Sequence, residues 1–148
     1  MAELTRKELI ASLINAGPKP RLAGLDLSAL SLHRLDFEGS NFRGANLSAS
    51  NLQEAIMRSC NLTGANLSVA QMPYADLNGA NLTVANLQGS NLQGARLTAA
   101  NMTNADVSGA NLKDANLQGA NVTGLKFNDN TTWPDGKKGA AGAPASYT

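Results

Sequence analysis

The chain has 148 residues, of which 43% are hydrophobic and only 4% aromatic, so a single domain with an aliphatic, small-residue core is expected. Twelve basic and eleven acidic residues give a formal charge of +1, which offers no general attraction to nucleic acid or to an acidic membrane. The single cysteine excludes an intramolecular disulfide and a thiolate metal site. No stretch approaches the roughly 18 apolar residues of a membrane span, and Met1–Ile14 lacks the pattern of a secretory signal. The expected location is the cytoplasm.

A short helix is predicted over about residues 5–16. Thr5 and Glu8 match the capping box, in which each side chain accepts a hydrogen bond from the backbone N–H of the other residue. The Gly17–Pro18 pair is a helix stop. One face of this helix is apolar and is formed by Leu9, Ile10, Leu13 and Ile14.

From residue 22 onward the chain repeats every five residues, without insertion or slip as far as residue 127. The central residue of each repeat is apolar, the residue two before it is usually small, and the residue one before it is usually Asn or Asp. The predicted centres are Leu22, Leu27, Leu32, Phe37, Phe42, Leu47, Leu52, Met57, Leu62, Leu67, Met72, Leu77, Leu82, Leu87, Leu92, Leu97, Met102, Val107, Leu112, Leu117, Val122 and Phe127. This period fits neither a helix nor a flat strand, so the chain must turn at every repeat.

Glycine marks the predicted turns. A turn that needs a positive φ favours glycine, because most side chains are strained in that conformation. Ten of the fourteen glycines lie two residues after a centre: Gly24, Gly39, Gly44, Gly64, Gly79, Gly89, Gly94, Gly109, Gly119 and Gly124.

A second period of twenty residues indicates that four repeats close one coil. Residues that recur at this interval are Asn41, Asn61, Asn81, Asn101 and Asn121, and likewise Thr63, Thr83, Thr103 and Thr123. The sequence therefore predicts an all-β square solenoid whose coils are stacked about 4.8 Å apart. The Asn and Thr columns are predicted to form side-chain ladders along this shaft.

Both ends of the shaft differ from its middle, as expected of a solenoid that must protect its terminal coils. At the N-terminal end, Leu25, Leu30 and Leu35 replace the small residues of later coils, and the predicted helix is expected to cap them. At the other end, Leu125, Phe127 and Trp133 are expected to cover the last coil, followed by a flexible tail over residues 136–148. The predicted division is 1–19 for the capping helix and linker, 20–129 for the shaft, and 130–148 for the C-terminal cap and tail.

These repeats resemble those of the pentapeptide repeat proteins, whose signature is Ala-Asp/Asn-Leu-x-x. Matching runs are Ala45–Leu47, Ala65–Leu67, Ala75–Leu77, Ala80–Leu82, Ala110–Leu112 and Ala115–Leu117. The resemblance implies a right-handed quadrilateral β-helix, here with an N-terminal capping α-helix. Residues 127–136 also resemble the tail that follows the last coil in many cyanobacterial members, which favours a cyanobacterial source.

No residue pattern in the sequence indicates catalysis. His33, the only histidine, has no converging nucleophile or carboxylate pair and is interpreted as a surface residue. Cys60 occupies a small-residue inward position and is interpreted as an inert substitute for Ala. The carboxylates do not cluster with metal-ligand spacing. We therefore predict no enzyme activity, no cofactor, no metal and no small-molecule substrate.

Outward positions are the remaining place for function. Twenty-residue coils place Glu38 beside Arg58, and Asp76 beside Arg96, as exposed ion pairs. A strip formed by Arg34, Glu54 and Tyr74 differs from the rest of the surface, whose outward residues are mostly Asn, Ser, Thr, Gln and Gly. Aromatic residues and Arg are typical anchors of protein interfaces, so this strip is the predicted interaction surface.

Two functions remain open at this stage. The preferred one is a rigid module or scaffold, monomeric or weakly dimeric, that binds another protein. The alternative, drawn from the resemblance, is a DNA mimic that binds DNA gyrase. B-DNA as long as the shaft, about 26 Å, carries about 15 negative charges. Residues 20–129 hold seven basic and eight acidic residues, a net charge of −1, which disfavours the alternative.

Overall fold

The computed structural model describes residues 5–16 and 20–148, which form one α-helix, a stack of coils, and two short 3-10 helices. The helix α1 spans Arg6–Ala16, and the 3-10 helices span Gly139–Ala141 and Pro144–Tyr147. Between α1 and the 3-10 helices, each repeat pairs with the next coil through a single bridge residue instead of a continuous strand. The reason is that the chain turns every five residues.

The predicted helix and its capping box are confirmed. The Thr5 N–H donates to Glu8 Oε2 at 2.8 Å, and the Glu8 N–H donates to Thr5 Oγ1 at 3.2 Å. Leu9 is fully buried in the core, and Leu13 packs against that core. The Gly17–Pro18 stop lies outside the described residues, as does the side chain of Ile14.

The twenty-residue coil is confirmed by the register of the backbone. Parallel bridges join residue pairs twenty apart, from Arg21 with Asn41 to Asp106 with Lys126. In a typical repeat, the N–H of Leu62 donates to the carbonyl of Asn81 at 2.7 Å, and the N–H of Gly64 donates to the carbonyl of Thr83 at 2.9 Å. Each coil is thus bonded to the next on all four sides, which makes the shaft rigid.

The predicted centres fill the interior as far as residue 117. Those from Leu22 to Leu117 are at most 4% exposed, and the small side chains between them fill the corners of the square. In the first coil Leu25, Leu30 and Leu35 are only partly buried against the core. The last predicted centre is wrong, because Phe127 is 37% exposed. Trp133, six residues further along the chain, is fully buried instead.

The prediction of left-handed corners is confirmed for all ten glycines, whose φ values lie between 64° and 71°. Each of these glycine corners closes with a hydrogen bond such as Ala65 N–H to the Leu62 carbonyl at 3.0 Å, the arrangement of a type II turn. Eleven residues other than glycine also adopt positive φ, and they all occupy the same corner position: Ala29, Arg34, Ala49, Glu54, Ser59, Val69, Tyr74, Val84, Ala99, Asn104 and Asp114.

The recurring Asn serves its own coil, contrary to the predicted ladders. In a typical repeat, Asn81 Oδ1 accepts the N–H and the hydroxyl of Thr83, at 3.1 and 2.6 Å. This contact satisfies the Thr83 N–H, which donates no backbone hydrogen bond to a neighbouring coil, as in an Asx turn. Bonds between side chains of successive coils do occur, for example from Asn46 to Asp26 at 3.2 Å. The columns are therefore mainly stacks of turn caps.

The C-terminal end contains a one-residue shift that places Trp133, rather than Thr132, in the position that follows Leu112 by one coil. Asn111 pairs with Thr132, twenty-one residues on, whereas the preceding pairs are twenty residues apart. This shift brings the fully buried Trp133 into the core, while Phe127 packs edge-on against its indole with ring centroids 5.2 Å apart.

Residues 136–148, predicted as a flexible tail, contact Trp133 in the structure. Trp133 Nε1 donates to the Gly139 carbonyl at 2.7 Å, and the ring of Tyr147 stacks on the indole at 5.8 Å. The Tyr147 hydroxyl donates to Asp135 Oδ1 at 3.0 Å. The buried aromatic ring supplies the packing surface that composition alone did not reveal for this segment.

Candidate interaction surface

The predicted strip lies along one edge of the shaft. Arg34, Glu54 and Tyr74 occupy the corner position of three successive coils, with φ of 59°, 55° and 60°. Gly94 and Asp114 occupy the same corner in the next two coils. The side of the shaft that ends at this corner is called the Tyr74 side and comprises residues 31–34, 51–54, 71–74, 91–94 and 111–114.

Arg34 and Glu54 neutralise each other. Arg34 Nε and Nη2 donate to the two carboxylate oxygens of Glu54 at 3.0 and 3.3 Å, and Gln53 Nε2 adds a bond to Oε1 at 3.2 Å. The bond with Glu54 raises the pKa of Arg34, and the bonds from Arg34 and Gln53 lower the pKa of Glu54. Because both side chains stay exposed, the pair contributes little to stability.

Tyr74 projects from the middle of this edge and is 60% exposed. Its ring covers the corner of the next coil, since a Cβ added at Gly94 would lie 2.5 Å from Tyr74 Cε1. Gly94 therefore supplies the room for the ring, and the ring is held against the shaft with one face towards solvent.

A second exposed apolar side chain extends the surface beyond the predicted strip. Val69 is 52% exposed and occupies the corner at the other edge of the Tyr74 side, in the same coil as Tyr74. It lies over Gly89, where an added Cβ would be 3.2 Å from Val69 Cγ1. Its signal in the sequence is a β-branched residue at a corner position, where such side chains are strained.

The adjacent side of the shaft carries the predicted ion pairs. Arg58 lies 3.5 Å from Glu38, and Arg96 lies 3.9 Å from Asp76, as predicted. Arg58 also reaches Asp76 at 3.6 Å, which joins the two pairs into one chain of alternating charge. The charges of Glu38, Arg58, Asp76 and Arg96 are thus paired along the shaft.

The residues considered for chemistry occupy the positions expected of them. Cys60 is 1% exposed, and its thiol donates to the Phe37 carbonyl at 3.0 Å. Burial raises the pKa of this thiol to about 12. His33 Nδ1 lies 2.9 Å from the hydroxyl of Ser31, a neighbour in its own repeat. Within residues 5–16 and 20–148, no group of three or more His, Cys, Asp or Glu side chains is arranged to hold a metal ion.

No helix in the part of the chain that the structure describes is both long and apolar enough to cross a membrane. The described helices are short, and the longest of them, α1, has 11 residues.

Comparison with known proteins places this architecture in a family. The family model for pentapeptide repeats matches residues 21–58, 60–98 and 90–129, in eight copies. No curated protein sequence matches the chain.

Two solved structures are similar over most of their length. The pentapeptide repeat protein Rfr23 from the cyanobacterium Cyanothece 51142 is 29% identical, with 84% of this chain and 99% of that chain covered and a TM-score of 0.79. The pentapeptide repeat protein alr5209 from Nostoc Pcc 7120 is 31% identical, with 83% and 95% covered and a TM-score of 0.62. This similarity implies a right-handed quadrilateral β-helix. The chain belongs to the pentapeptide repeat protein family.

Proposed function

We propose that this protein is a non-enzymatic interaction module that binds another protein through the Tyr74 side of its shaft, with Arg34, Glu54 and Tyr74 in the contact. The observation that carries this proposal is the 60% exposed tyrosine held on a rigid corner. An aromatic ring fixed by its backbone loses little conformational entropy on binding, and Tyr and Arg are enriched among the residues that dominate interfaces.

The electrostatics favour recognition by shape. Arg34 and Glu54 already satisfy each other, and the neighbouring side chains on this side are largely amides such as Asn51, Gln53 and Gln71. A partner that binds through net charge would gain little affinity from this side, because electrostatic attraction depends on unpaired charge. We therefore expect binding that depends weakly on salt.

The DNA-mimic alternative is disfavoured by charge. The seven basic and eight acidic residues of positions 20–129 leave a net charge of −1, against about 15 negative charges on B-DNA of the same length. A gyrase supercoiling assay discriminates the two functions. Inhibition, or protection from a quinolone, at micromolar protein would favour the alternative.

The finer architecture is also part of the proposal. We assign α1 as a cap on the first coil, because Leu9 is fully buried and Leu25, Leu30 and Leu35 pack against the same core. The division at residues 19 and 129, the cytoplasmic location and the monomeric or weakly dimeric state remain predictions.

Affinity capture from the native host tests the proposed surface. The intact protein is compared with an Arg34→Ala, Tyr74→Ala variant and with a control variant, Arg43→Ala, Val84→Ala, that changes exposed residues of a different corner and side. We expect one abundant partner that the parent and the control retain and the first variant loses. Equal recovery by all three proteins would contradict the assignment of this surface.

A further inference from the structure

The first coil of the shaft has carbonyl groups that no preceding coil can use. On the Tyr74 side of the second coil, the carbonyl of Asn51 accepts the Leu32 N–H at 2.7 Å, and the carbonyl of Gln53 accepts the Arg34 N–H at 2.9 Å. The same pattern continues into later coils. The equivalent acceptors of the first coil are the carbonyls of Ser31 and His33, twenty residues earlier.

Arg6 occupies the place of the missing donors. Its Nη1 donates to the Ser31 carbonyl, and its Nη2 donates to the His33 carbonyl at 3.1 Å. These are the two acceptors that a preceding coil would engage with two backbone N–H groups. We propose that the Arg6 guanidinium substitutes for those two backbone donors and thereby closes this edge of the shaft against the addition of another strand.

The chemistry of arginine suits this role. A guanidinium presents several N–H donors in a rigid planar fork and has no acceptor, so it can satisfy two carbonyls at once. A lysine ammonium is a compact point charge on a flexible stem and cannot match two separated acceptors in the same way. Open edges with unpaired backbone groups are templates for association, and charged side chains are a known means of blocking them.

Helix α1 holds the fork in position. Arg6 lies in the first turn, next to the capping box of Thr5 and Glu8, and Leu9 anchors the following turn in the core. The carbonyls of Asp36 and Glu38, on the adjacent side of the same coil, provide a reference for carbonyls without a donor. They accept no hydrogen bond from the described residues. The inference does not depend on the function proposed above.

Carbonyl chemical shifts measured by NMR on the full chain test the donor role. The parent is compared with Arg6→Ala, with Arg6→Lys, and with Arg43→Ala as a control that removes an exposed arginine from the second coil. We expect Arg6→Ala to move the carbonyl ¹³C resonances of Ser31 and His33, each corrected for the random-coil value of its residue type, towards the corrected values of Asp36 and Glu38. Arg6→Lys, which keeps the charge and the helix propensity, should restore at most one of the two resonances.

Sedimentation at increasing protein concentration tests the closure of the edge. We expect larger species for Arg6→Ala at concentrations where the parent and Arg43→Ala remain unchanged. The donor role would be overturned if the Ser31 and His33 resonances did not change in Arg6→Ala. It would also be overturned if they changed equally in Arg43→Ala. An Arg6→Ala profile identical to that of the parent would overturn the closure. Circular dichroism of Arg6→Lys checks that α1 is retained. A changed Ser31 or His33 resonance in that variant then reports the loss of the two-donor guanidinium and not the loss of the helix.

Discussion

The contact between Tyr74 and Gly94 makes a sharp prediction, because the chain contains a matched control. Gly94 and Gly64 both have φ of +65°, yet an added Cβ meets Tyr74 Cε1 at 2.5 Å at Gly94 and nothing within 4 Å at Gly64. Alanine at either position is strained by the left-handed backbone, at a cost of about 1 kcal/mol or somewhat more. Only Gly94→Ala must also displace the tyrosine ring.

The size of the additional effect follows from the burial of the ring. Tyr74 is already 60% exposed, so about 80 Å² of its surface is in contact with the shaft, worth at most about 2 kcal/mol at about 25 cal/mol/Å². We expect Gly94→Ala to lower the free energy of unfolding by about 1 kcal/mol more than Gly64→Ala does. For a domain of this size that difference corresponds to a Tm lower by about 2–4 °C.

A double-mutant cycle isolates the contact from the backbone strain. In a Tyr74→Ala background, Gly94→Ala should cost no more than Gly64→Ala, because the ring is gone and only the left-handed backbone remains. Thermal and denaturant unfolding followed by circular dichroism provide the free energies. Equal costs of the two substitutions in the parent would refute the placement of the ring over Gly94.

Further expectations concern the core, the cap, the thiol and the ion pair. Leu82→Asp should abolish the cooperative melt, because it buries an unpaired carboxylate at a position that is 0% exposed; a melt near that of the parent would contradict the inward assignment. Deletion of residues 1–16 should promote association in sedimentation experiments, whereas a monomer of unchanged stability at high concentration would argue against the cap. Cys60 should resist thiol reagents at pH 8 until the protein unfolds, since burial raises its pKa to about 12; rapid labelling of the folded protein would contradict this. The carboxyl of Glu54 should titrate below its ordinary pKa in NMR, and Arg34→Ala should raise that pKa. Because the folded pKa is lowered, the small stabilisation is present above the unfolded pKa and is lost as pH falls through the folded one.

The repeat pattern determined the shaft of this protein. An apolar side chain at every fifth position can be buried at each repeat only if the chain turns at every repeat, and the twenty-residue recurrence of Asn indicates four repeats per coil and the register between coils. The candidate surface could also be proposed from the sequence, because Arg34, Glu54 and Tyr74 differ from the other outward residues and the twenty-residue register places them in one line. Their contacts across coils, including the salt bridge, follow from that register alone.

The sequence also indicated the corner conformation, but only where glycine occurs. Tyr74 and Val69 adopt the same positive φ, which their residue types disfavour. The hydrogen bonds to the coils on either side impose that backbone, so the tertiary structure overrides the local preference.

The ends of the shaft were decided by tertiary structure. A one-residue shift puts Trp133 where the period places Thr132, and the indole then gives residues 139–147 a surface to pack on. Arg6 reaches two carbonyls some twenty-five residues away, which no local pattern reveals. Periodicity specifies the middle of a solenoid because each coil sees identical neighbours, whereas a terminal coil has a neighbour on one side only, and non-repeating residues from distant parts of the chain must satisfy its other side.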